Sequence, residues 1–264
     1  MSTLALLAII LCFLMVYVGR KQGIKAFSGL FVNILLLGLF VILIILKINI
    51  ILLAILFCII MALFNIFVMN GYTRVSIITI IATSITFILS LIIVYGAVIF
   101  SGIQGFAMEE GDEIATYHLN IGINFVHLSL FIILVSTLGA IIDLTISVSS
   151  SMEEIYINQP TISNKQLFKS GMNVARDILG TTINTLFFAY LGSYLTLLIW
   201  FSKLNYSFGD IINSKVLSSE LMTLLCAGIA VTLAIPVTSF TTLNILKRLH
   251  FDHSHIHHNK KRNS

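Results

Sequence analysis

Charge is what this chain has least of. Only 10% of its 264 residues are Asp, Glu, Lys or Arg, proline occurs twice, and mean hydropathy is +1.04. A soluble globular domain is excluded by that balance. The three cysteines, Cys12, Cys58 and Cys226, fall inside apolar stretches without ligand spacing, so neither a disulfide nor a cysteine metal site is expected. Catalytic signatures are also missing: there is no H-E-x-x-H, no G-x-x-x-x-G-K-[ST] and no G-x-S-x-G. An enzyme is not expected, nor a cofactor, and ATP coupling would need another subunit. The net charge of +4 does not point to nucleic acid, because most basic residues flank the apolar runs.

Apolar length is what the chain has in abundance. Seven runs, Leu4 to Val18, Phe27 to Leu46, Ile48 to Met69, Val75 to Phe100, Asn124 to Val148, Ile178 to Phe201 and Leu221 to Leu246, contain one formal charge, Asp143. Water cannot satisfy backbone groups in lipid, so such runs must be helices with internally paired peptides. The expected fold is all-α: a polytopic transmembrane bundle of about seven helices, with residues 1–246 as one membrane domain and 247–264 as a basic, His-rich cytoplasmic tail. The first run has its positive cluster, Arg20, Lys21 and Lys25, after it rather than before, which reads as a retained helix.

Orientation follows from the basic residues. With the N-terminus outside, twelve of the fifteen Lys and Arg face the cytoplasm, leaving Lys47, Lys203 and Lys215 outside. Basic residues resist translocation, so the count predicts N-out and C-in. Two longer connections are expected: an external one, 101–122, holding Glu109, Glu110, Asp112 and Glu113, and a cytoplasmic one, 149–177.

Polar residues within the runs mark the candidate site. On the fifth run Ser136, Gly139, Ala140, Asp143 and Ser147 project within an arc of about 100°. A carboxylate inside lipid costs about 2.5 to 3.5 kcal/mol, which favours Asp143 facing a cavity; an interfacial Asp hydrated from the cytoplasm is the alternative. Arg176 and Asp177 open the sixth run, and Thr181 and Asn184 share a face with Asp177. Asp177 could instead complement a helix N-terminus. Asn184, two turns in, requires a hydrogen-bond partner. On the fourth run Ser76, Thr79, Thr83, Thr86 and Ser90 form a stripe that suits either a packing seam or a polar path. Pro236 in the seventh run cannot donate to the Thr232 carbonyl, and a kink there would present that carbonyl among the hydroxyls of Thr232, Ser239 and Thr242. In the tail, His253, His255, His257 and His258 could bind a divalent metal weakly.

Two stretches, Gly139 to Ile155 (GAIIDLTISVSSSMEEI) and Ala175 to Gly192 (ARDILGTTINTLFFAYLG), resemble the YibE/F-like family of bacterial multipass membrane proteins. That resemblance implies a bacterial plasma-membrane protein presumed to transport something, and a companion membrane subunit. Its motif positions here are Asp143, Arg176, Asp177 and Asn184; Thr196 stands where many members have a proline. The expected function is a permease or channel-like subunit for a cation or small polar solute, its polar path lying between the fourth to seventh runs. The alternative is a non-transporting membrane subunit that uses the same polar faces to bind its companion.

Overall fold

The computed structural model describes residues 3–46, 48–68, 70–102, 124–203 and 206–262, with side chains placed throughout these except at position 202 and beyond 247. All regular structure among them is helical: α1 (Thr3–Ile45), α2 (Ile50–Leu63, continued by a π-helical turn, Phe64–Val68), α3 (Arg74–Ser101), α4 (Phe125–Asn158), α5 (Asn164–Lys203), the short α6 (Phe208–Asn213) and α7 (Lys215–Arg262). Six of these helices are long and apolar enough to cross a membrane.

The first two expected spans both lie within α1. At ~1.5 Å per residue its 43 residues would reach about 65 Å if straight, twice a hydrocarbon thickness of ~30 Å. The element is broken at Arg20, whose φ of 47° and ψ of −129° are not helical. The bend is sharp enough that a Cβ on Gly23 would overlap the Met15 carbonyl, so only glycine fits where the two arms meet. The expected loop around Arg20 to Lys25 is thus a one-residue break.

Caps explain most other boundaries. The Asn49 side chain accepts from the N–H groups of Ile51 and Leu52, that of Asn124 accepts from Val126 and His127, and the Thr73 hydroxyl accepts from Ser76. The expected long connection 149–177 is not a loop. α4 runs out to Asn158 and α5 begins at Asn164, so Glu153, Glu154, Lys165 and Lys169 ride on helical extensions. Ser163 and Gln166 start α5 with reciprocal side-chain bonds, including Ser163 Oγ donating to Gln166 Oε1 at 2.9 Å. The expected external connection and its four acidic residues lie outside the described residues, as does Lys47. α7 continues as helix through the predicted tail to Arg262; the side chains of His253, His255, His257 and His258 lie outside the described ones.

Two apolar clusters hold the bundle. Phe40, Phe57 and Phe131 join α1, α2 and α4, with ring centroids 4.7 and 5.4 Å apart. Ile141, Leu144 and Val148 of α4 pack with Ile78 of α3 and with Val231 and Ala234 of α7. The hydroxyl stripe on α3 is buried in this second region, with Ser76, Thr79, Thr83, Thr86 and Ser90 all at 1% exposure or less. Thr79 Oγ1 lies 3.0 Å from Ser149 Oγ, and Thr83 Oγ1 3.0 Å from Thr145 Oγ1. Because Thr145 and Ser149 donate to the carbonyls of Ile141 and Thr145, the α3 threonines are the cross-helix donors. At these residues the stripe is a packing seam.

Candidate functional site: clefts around α5

Helix α5 is the least enclosed of the long helices: 6% of its most apolar stretch is buried, against 50% in α4. Three clefts run along its sides. The largest, about 830 Å³, lies between α4 and α5 and contains Asp143, Gly139, Thr181 and Thr185. Asp143 is exposed and lines this space. Ser147 sits one turn on, its hydroxyl donating to the Asp143 backbone carbonyl at 2.9 Å rather than to the carboxylate. Thr181 and Thr185 likewise donate along their own helix, to Ile178 and Thr181 carbonyls. Their lone pairs, not their protons, are left for the cleft.

The far wall of this cleft comes from amides that the sequence reading passed over: Asn33 of α1, and Asn65 and Asn70 at the end of α2. Asn65 stands in the π-helical turn, an arrangement found often at functional sites. Its Nδ2 donates to the Met61 carbonyl at 2.9 Å, which orients the amide so that Oδ1 accepts from Asn33 Nδ2 at 3.1 Å. Asn33 and Asn65 sat in runs chosen for hydropathy alone. Their signal was the same as that of Asn184, an amide inside an apolar run.

The second cleft, about 230 Å³, lies between α5 and α7, with Tyr190, Ser193 and Tyr194 facing Glu220 and Thr223, and α4 contributes Ser136. Tyr194 donates to Glu220 Oε1 at 2.8 Å. Hydropathy alone begins the seventh run at Leu221 and so leaves out Glu220, which α7 carries in its second turn. The third cleft, about 440 Å³, lies between α5 and α7 and contains Asn184, Gly228 and Thr232. Leu186 lines all three.

The expected constellation is therefore divided. Asp143 and Thr181 share the largest cleft, Asn184 and Thr232 the third, and Ser136 belongs to the second. Arg176 and Asp177 are exposed immediately before Ile178, outside the lining of these clefts. Asp177 does not sit at a helix N-terminus, since α5 starts at Asn164. α7 runs on through Pro236, which is exposed with Thr232, whereas Ser239 and Thr242 are buried. The expected hydroxyl collar around Pro236 is thus split between two faces. Thr232 donates to the Gly228 carbonyl at 2.8 Å. Among the described residues, no group of three or more His, Cys, Asp or Glu side chains could hold a metal ion.

Six membrane-length apolar helices, packed as a bundle with polar clefts along one member, define a multi-pass membrane protein. The family model for YibE/F-like protein matches residues 7–248, and the chain belongs to that family. No curated protein and no solved structure matches it.

Proposed function

We propose that this protein is a transport subunit of the bacterial plasma membrane that passes a cation or small polar solute along the α4 and α5 groove, with no catalytic step. The observation that supports this reading is that two polar clefts beside α5, one around Asp143 and one around Glu220, share Leu186 in their linings. An apolar side chain shared between polar spaces is the kind of constriction at which access can be gated. A carboxylate within an otherwise apolar run is costly to keep, and a solute or ion contact is the usual return for that cost. The path differs from the expected one in leaving out the α3 stripe, which is sealed against α4.

A second reading draws on the openness of α5. Its Thr181, Asn184 and Thr185 are exposed in this chain alone, and polar groups in lipid also serve to join subunits. On that reading a companion membrane subunit covers α5. Proteoliposome flux separates the two: Asp143→Asn is expected to abolish uptake of the transported solute while leaving the protein inserted at wild-type yield. If the variant instead loses co-purification with a companion subunit, and flux with the wild-type chain is absent, the assembly reading holds and the transport reading fails.

A further inference from the structure

The cleft around Glu220 has a property that the larger one does not share to the same degree: nearly all of its hydroxyl protons are spoken for. Tyr190 donates to the Leu217 carbonyl at 3.2 Å, Ser193 to the Ala189 carbonyl at 3.0 Å and Thr223 to the Ser219 carbonyl at 3.0 Å. Tyr194 gives its proton to Glu220 itself. A hydroxyl carries one proton and two lone pairs, so Tyr190, Ser193 and Thr223, whose protons go to carbonyls, turn lone pairs rather than protons to the space between them. With the Glu220 carboxylate beside them, they make a lining of acceptors. An anion finds little there to bind, whereas a cation finds oxygen ligands already oriented by the hydrogen bonds that hold them.

We propose that this cleft is a binding site for a monovalent cation, with Glu220 supplying the charge and Ser193, Thr223 and the Tyr190 oxygen supplying neutral ligands. One carboxylate among hydroxyls balances a single positive charge. Calcium and magnesium sites draw on several carboxylates or on retained water shells. The tyrosine rings, with centroids 5.3 Å apart, add an electron-rich wall that favours ammonium as well as alkali ions. The site stands whether or not the chain carries flux, because it is a statement about binding at equilibrium.

The test is thermal unfolding of the purified full-length protein in detergent, with sodium, potassium or ammonium chloride titrated against N-methyl-D-glucamine chloride at constant ionic strength. At least one of the three cations is expected to raise Tm saturably, because a ligand that binds only the folded state stabilises it. That rise should be lost in Glu220→Gln and retained in Asp143→Asn. Ser193→Ala and Thr223→Val keep the carboxylate, and each is expected to shift the half-saturating concentration upward, which serves if Glu220→Gln does not fold. The proposal is overturned if no monovalent cation acts on the wild type, if only calcium or magnesium does, or if the rise survives in Glu220→Gln. Loss of the rise in Asp143→Asn alone also overturns it and moves the cation to the larger cleft.

Discussion

Asp143 and Asn184 line separate clefts on α5, and of the residues around them only Leu186 belongs to both. Side chains in different clefts couple only through what the clefts share, here Leu186, and where that link is weak their effects add within about 0.5 kcal/mol. The effects of Asp143→Asn and Asn184→Ala on flux are therefore expected to add in the double variant, with the Asp143 effect the larger because Asn184 lies outside the proposed groove. A strong non-additive interaction between the two would place them in one site.

The α3 to α4 seam is expected to matter for stability and not for transport. Thr83→Val removes a buried cross-helix donor, while Thr145 keeps its bond to the Ile141 carbonyl. Hydrogen bonds between membrane helices are worth about 0.6 kcal/mol on average, with a maximum of about 1.7. Thr79→Val and Thr83→Val should each lower stability by about that amount in a reversible unfolding assay. Flux per folded molecule should be unchanged.

Gly23 is the tightest position in the amino-terminal arms. A Cβ there meets the Met15 backbone, which cannot rotate away, whereas one on Gly19 meets nothing within 4 Å. Gly23→Ala is expected to lower Tm by several degrees and Gly19→Ala to leave it within error. Equal behaviour of the two would contradict the bend at Arg20.

Helix α6 is set by a capping box whose strength depends on pH. The Ser207 hydroxyl donates to Asp210 Oδ2 at 2.6 Å and the Ser207 N–H at 3.0 Å, and these two bonds hold the Asp210 carboxyl below its usual value of 3.8. A lowered folded-state pKa means that the stabilisation is complete above the unfolded value and is lost as pH falls through the folded one. Hydrogen exchange of amides 209–214 should be slow at neutral pH and speed up, beyond the intrinsic rate, only in acid. Asp210→Asn should raise exchange at neutral pH and remove the acid step.

Hydropathy made the helices legible, and dipeptide-level chemistry could have placed more of their ends than it did. The Ser163 and Gln166 pair, three apart, is a helix-start signature that reduces the presumed 149–177 loop to a five-residue turn, 159–163. The separation of Asp143 from Asn184 was not readable, because helix-face angles within one helix say nothing of which neighbour each face meets. Asn33 and Asn65 were readable in kind, as amides in apolar runs, but their pairing across α1 and α2 depends on the π-helical turn at Phe64 to Val68, which has no sequence pattern of its own. Glu220 was lost to a boundary drawn by hydropathy one residue away from it.

Water access to Asp143 is the claim on which the transport reading rests. With Cys12, Cys58 and Cys226 replaced by alanine, a single cysteine at Asp143 or Ser136 should react with a membrane-impermeant thiol reagent in intact membranes, and one at the buried Thr137 should not. Reaction at Asp143 and Ser136 with silence at Thr137 is the predicted result. Silence at both cleft positions would mean that lipid or another chain fills the groove, and no aqueous path would remain for a solute to follow.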